Sequence, residues 1–217
     1  MSESDPHGDA EVLTGGASLE TASAVAIAIH GRGATAQSIL QLVGHADHTD
    51  GAVAYLAPQA IRSTWYPHSF MVPVDRNEPF LTSALDTVQR TLETATDHVD
   101  SARVVIVGFS QGACLASEFV ARGGTRIGGL VAFSGGLIGE TVDVDRYDGS
   151  MGEMPVYLGC SDADPHIPVE RVNETATVFE RLDAEVTTDI FPGMGHTVNE
   201  TEMTHLRDLL ERVASGL

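Results

Sequence analysis

Short apolar runs alternate with amphipathic stretches of helical period along most of this chain, and no other feature restricts the fold as strongly. Ala24–His30 (AVAIAIH), Gly51–Leu56, Arg103–Phe109, Gly128–Phe133, Pro155–Cys160 and Glu185–Phe191 read as strands. Most are nearly continuous apolar runs, the pattern of strands buried on both faces. Between them, Ala34–Ala46, Glu78–Val99, Ser110–Arg122 and Val169–Leu182 carry helical patterns, and Thr201–Ala214 closes the chain as another helix. Gly123-Gly124 is the expected stop of the third helix. Strands alternating with helices in this way predict an α/β fold, a mostly parallel sheet covered on both faces in three α/β/α layers. Glu11–Ala22 is expected to add an edge strand or hairpin around Gly15-Gly16. A chain of 217 residues suits one core better than two. Residues 1–20 are therefore read as an N-terminal tail with its edge strand, and 21–217 as a single domain.

Charge narrows the partners. The chain has 31 acidic and 12 basic residues, a net charge of −19, and every basic residue is Arg. Such a surface repels phosphate backbones and anionic headgroups, so no nucleic-acid partner is expected. No apolar run approaches the ~20 residues of a membrane span, so stable membrane insertion is not expected either. The opening MSESDPHGDA lacks the pattern of a secretory signal, which places the protein in the cytoplasm by default. Acidity without Lys resembles proteins of salt-accumulating microbes, whose surfaces tolerate self-repulsion because it is screened. Cys114 and Cys160 form no CxxC or Cys/His pattern, so neither a disulfide framework nor a metal site is indicated. Nothing in the sequence calls for a cofactor.

The most specific local signal is Gly108-Phe109-Ser110-Gln111-Gly112, between an expected strand and an expected helix. A sharp strand-to-helix turn strains its central residue and leaves no room for side chains on either flank, hence the two glycines. Ser110 is the candidate nucleophile. A Ser hydroxyl needs a base within hydrogen-bond reach and an acid to orient that base. His196, in FPGMGH after the last strand, is the candidate base. In CSDADPHIP the acid is Asp164 or Asp162; Asp164 is preferred because Pro165 fixes its direction, whereas Asp162 suits a turn. The order Ser110, Asp164, His196 is that of an α/β-hydrolase triad. Developing oxyanion charge calls for backbone donors, and the amides of Gln111 and Arg32, the latter in HGRGA, are the candidates. His30 is read as a brace for that loop, and the Arg32 side chain as either paired with a surface carboxylate or placed over the cleft. His7, His45, His48, His98 and His205 are expected to face solvent, and His166 is read as a loop residue or, as the lesser alternative, one that touches substrate.

HGRG, WYPHSF, GFSQG, DPHIP and GH together resemble the small single-domain carboxylesterase/phospholipase family that includes acyl-protein thioesterases. The resemblance runs from about Ala24 to the C-terminus and implies an α/β-hydrolase fold. It also implies the nucleophile, acid and base roles for Ser110, Asp164 and His196, and the oxyanion roles for Arg32 and Gln111. The chain departs from the family where Arg32 replaces a common Leu, Ser161 a frequent Gly, and Pro67 a frequent Asp. Trp65, Tyr66, Phe70 and Met71 are candidate walls of an acyl groove, or else anchors of a long loop. The expected activity is cofactor-independent hydrolysis of a small ester or thioester, with amide hydrolysis as a second use of the same triad. A non-catalytic binding module on a hydrolase scaffold is the alternative from another class. A homodimer is compatible with the sequence.

Overall fold

The computed structural model describes residues 5–123 and 126–216; Gly124 of the expected helix stop lies outside them. One sheet holds seven strands, β1 (Val12–Gly16), β2 (Ala24–Ile29), β3 (Val53–Pro58), β4 (Val104–Phe109), β5 (Gly129–Phe133), β6 (Pro155–Ser161) and β7 (Glu185–Phe191). Their order is β1-β3-β2-β4-β5-β6-β7. All neighbours run parallel except β1, an edge strand antiparallel to β3 with Val12 opposite Pro58. Glu11–Ala22 thus contributes one strand and not a hairpin.

Alternation of side chains divides the interior into two cores. Val25, Ile27, Ile29, Val104, Ile106 and Leu130 pack with α2 (Phe80–Thr96), α3 (Gln111–Gly123) and α4 (Val169–Arg181). Ala24, Ala26, Ala28, Val105, Val107 and Val131 pack on the opposite face with α1 (Ala36–Ala46) and α5 (Glu200–Ser215). Each fully buried Ile or Leu contributes about 1.5–3 kcal/mol relative to exposure. Among the described residues no helix is long and apolar enough to cross a membrane.

Two features of this fold position a site. The chain leaves β2 for β3 on one side and returns through α2 to β4 on the other, so connections diverge at the carboxyl ends of β2 and β4 and leave a crevice there. The long segment after β3 is held down by buried side chains. His7, expected to face solvent, is 1% exposed beneath it. Its Nε2 donates to the Trp65 carbonyl at 2.9 Å and its Nδ1 accepts from Ile61 N at 3.2 Å. Burial pushes the His7 pKa down, consistent with this neutral tautomer.

Candidate active site

Ser110 sits at the crevice with φ of +56°, a left-handed conformation that costs a side-chain-bearing residue on the order of 1–3 kcal/mol. Its flanks explain why the turn is GFSQG. A Cβ on Gly108 would lie 2.4 Å from the Gly112 carbonyl oxygen, and one on Gly112 would lie 2.0 Å from that of Ile29. Only glycine lets β4 turn this sharply into α3 beside β2. The Ser110 amide donates to Phe133 O at 2.9 Å, tying the turn to the end of β5.

The loops after β6 and β7 bring the other two residues in. His196 Nε2 lies 2.9 Å from Ser110 Oγ, and His196 Nδ1 lies 2.7 Å from Asp164 Oδ2. The Asp164 carboxylate is fully buried, and its second oxygen accepts the amides of His166 at 2.8 Å and Ile167 at 3.1 Å. Burial pushes the carboxyl pKa up, but the hydrogen bonds from His196, His166 and Ile167 together outweigh it and hold the group below the ordinary 3.8. Asp162 does not face the imidazole. It accepts Gly193 N at 2.7 Å, and Ser161 Oγ accepts Gly195 N at 3.0 Å, so both residues hold the loop that carries His196. Sequence reasoning missed the part played by Ser161, because its hydroxyl, which also accepts the nearby Ala163 N at 3.1 Å, reaches Gly195 only when β6 and β7 are adjacent.

The two oxyanion candidates also meet here. Among the described residues, the backbone amides of Arg32 and Gln111 have no protein acceptor, and both residues line the same cavity as Ser110 and His196, about 430 Å³ in volume. The Gln111 side chain bridges the long loop, accepting Trp65 N at 3.0 Å and donating to Tyr66 O at 2.9 Å. His30 Nδ1 donates to Gly31 O at 2.8 Å, and Nε2 accepts Ala60 N at 3.1 Å and the Gln59 side-chain amide at 3.2 Å. Burial lowers its pKa and favours this neutral form, so His30 braces the Arg32 turn.

Four aromatic or sulfur-bearing residues were candidates for the groove, and the structure separates them. Tyr66 and Phe70 line the cavity. Trp65 does not: it is fully buried, its Nε1 donating to His30 O at 2.8 Å, and it anchors the loop from below. Met71 is 36% exposed and lies off the cavity. Among the described residues the Arg32 guanidinium pairs with no surface carboxylate; it donates to the carbonyls of Tyr66 at 2.8 Å, Pro67 at 3.1 Å and His68 at 2.8 Å. His166 stands edge-on to His196 with ring centroids 4.9 Å apart, and it lines the cavity together with His68. Cys114 also borders the cavity, and burial pushes its thiol up to about 12, which disfavours the thiolate.

Behind the His196 loop, Asn199 caps α5 and its own amide donates to Glu202 Oε2 at 2.9 Å. The other oxygen, Oε1, is buried against Gly159 without a partner. Burial raises this carboxyl from the ordinary 4.5 to about 7. The folded state therefore binds a proton that the unfolded state has lost, and stability from this group falls as pH rises from 4.5 towards 7. Asp164, held below its ordinary value, acts oppositely: its contribution is present above 3.8 and is lost as pH falls through the lower folded value. Denaturant titrations of the wild type and Glu202→Gln should show their stability difference falling by on the order of 2–3 kcal/mol between about pH 5 and 8. A constant difference would contradict this account of Glu202.

The phospholipase/carboxylesterase family model matches residues 16–214 of the chain. Among solved structures, a phospholipase/carboxylesterase from Dyadobacter fermentans superposes with a TM-score of 0.88 at 36% identity, covering 93% of this chain and 96% of that one. Esterase PE8 superposes at 0.77 with 19% identity over 94% of this chain and 99% of its own, a likeness of fold alone. Among curated proteins, acyl-protein thioesterase 1 of Candida albicans is 27% identical over 115 residues, 51% of this chain and 50% of that protein. This chain thus spans about half the length of the first curated relatives it matches. The sheet with its strand-turn-helix at Ser110 has the α/β-hydrolase fold. With the match running over nearly its whole length, the chain belongs to the phospholipase/carboxylesterase family.

Proposed function

We propose that this protein hydrolyses carboxylic esters through a Ser-His-Asp triad and a covalent acyl-enzyme, with residues 21–217 acting as one catalytic domain. The observation that carries the reading is the hydrogen-bond path from Ser110 Oγ to His196 Nε2, 2.9 Å, and from His196 Nδ1 to Asp164 Oδ2, 2.7 Å, with its serine end on the cavity. His196 takes the hydroxyl proton as Ser110 attacks the ester carbonyl, and Asp164 stabilises the imidazolium that forms. The Arg32 and Gln111 amides receive the negative oxygen of the tetrahedral intermediate, each such donor being worth about 3–4 kcal/mol. His196 then protonates the leaving alcohol. Water, deprotonated by the same imidazole, releases the acid and restores Ser110. Thioesters fit the same sequence of steps, and the thioesterase relatives favour testing them beside oxygen esters. The test is turnover of short acyl esters with fluorophosphonate labelling, both dependent on Ser110.

We also read the protein as one that works in a salt-rich cytoplasm. With 31 acidic residues against 12 Arg, self-repulsion is an unbalanced electrostatic cost of the fold. Raising ionic strength from about 0.1 to 1 M shortens the Debye length from ~10 to ~3 Å. Thermal melts over that range should shift upward by roughly 4–8 °C, the equivalent of about 2 kcal/mol for a chain of this size. A melting temperature independent of KCl would refute the salt reading and leave the hydrolase reading intact.

A further inference from the structure

Resting on the ester-hydrolase reading, we infer that the substrate carries an anionic group, a carboxylate or a phosphate, received by Arg32 at the cavity mouth beside His68 and His166. The first support is a contrast of charge. The chain bears a net −19 with 31 Asp and Glu, yet none of the residues lining the cavity is a carboxylate. Arg32, His68, His166 and His196 all line it. Among the described residues the only acid tied to this group is Asp164, which is fully buried and hydrogen-bonded to His196 on the side away from Ser110.

The second support is how Arg32 is held. Its Nη2 donates to the carbonyls of Tyr66 and His68, both at 2.8 Å, and its Nη1 to that of Pro67 at 3.1 Å. These are neutral acceptors, so the guanidinium is fixed in place without being neutralised. Among the described residues no carboxylate lies within 4.0 Å of it. Two of its five N–H groups, on Nε and Nη1, remain for a ligand. A cation already immobilised loses little side-chain entropy on binding an anion, and a guanidinium suits oxygen anions better than an ammonium does. A cavity of about 430 Å³ has the size of a small-molecule site.

The anion can stand on either side of the ester bond, so two substrate pairs are needed. Monomethyl glutarate against methyl 4-carbamoylbutanoate places a carboxylate or its neutral amide on the acyl side. Acetylglycerol phosphate against acetylglycerol places a phosphate or nothing on the alcohol side. With assays in about 2 M KCl to suppress long-range repulsion, the wild type should prefer the charged member of at least one pair in kcat/KM by about tenfold or more. Arg32→Gln should bring that preference close to unity, chiefly through KM, and Arg32→Lys should retain part of it. The preference is a ratio within one enzyme, so disturbance of the Arg32 amide or the neighbouring loop affects both members alike. No preference in either pair, or one unchanged in Arg32→Gln, overturns the inference while Ser110-dependent turnover of the neutral esters keeps the hydrolase reading. Failure to turn over any of the four esters would remove both.

Discussion

Ser110→Ala is expected to lower kcat/KM on short acyl esters by about 10⁵-fold or more and to abolish fluorophosphonate labelling, with folding unchanged. The size follows from the proposed role: without the hydroxyl no acyl-enzyme could form, and His196 would have no nucleophile from which to take a proton. What survives is the part of catalysis that needs neither, the binding of the ester and the amides of Arg32 and Gln111. Alanine has the same left-handed penalty as serine at φ +56°, so the turn experiences no new strain, and Gly108 and Gly112 still permit its close approach to β2. The measurement pairs initial rates and probe labelling with a thermal melt of both proteins. Ester turnover within a hundredfold of wild type in a folded Ser110→Ala protein would remove Ser110 as nucleophile.

The parts of this site that sequence carried are those encoded by local pattern. A strand buried on both faces is an uninterrupted apolar run, so β2, β4 and β5 were legible to within a residue or so of their ends. The glycines at 108 and 112 announce a turn without side-chain room whatever surrounds it. The end of β3 was misplaced because it is set by a partner: Pro58 extends the strand by pairing with Val12 of the antiparallel edge, 46 positions earlier. His7 was unreadable for the same reason, its role depending on Trp65 and Ile61 more than fifty residues away. Trp65 could be read as a groove wall or as a loop anchor, because an aromatic residue in a long loop signals burial without saying under what. Its indole reaches the His30 carbonyl and faces inward. The Arg32 side chain could be read only from three successive carbonyls, at positions 66, 67 and 68, that converge once the loop has closed over it.

Asp164→Asn is expected to lower kcat by about 10⁴-fold while leaving Ser110 and His196 in place. The argument rests on which oxygen does what. Oδ1 accepts two backbone amides, from His166 and Ile167, and only Oδ2 faces the imidazole. An asparagine here keeps its carbonyl oxygen towards the two amides, since the reverse orientation would set its NH₂ against two N–H groups in a buried place. Its NH₂ then points at His196 Nδ1, which must become an acceptor. The imidazole proton moves to Nε2, where it faces the Ser110 hydroxyl, and the base can no longer take the serine proton. The loss should therefore appear in kcat with little change in KM, and should be partly relieved at high pH, where hydroxide can assist the serine. Serine probes should react slowly in the same proportion, since they need the same proton transfer. A variant retaining more than about a tenth of wild-type kcat would mean that Asp164 does not set the tautomer of His196. The Ser110 result would stand unaffected, and the acid of this site would have to be sought elsewhere.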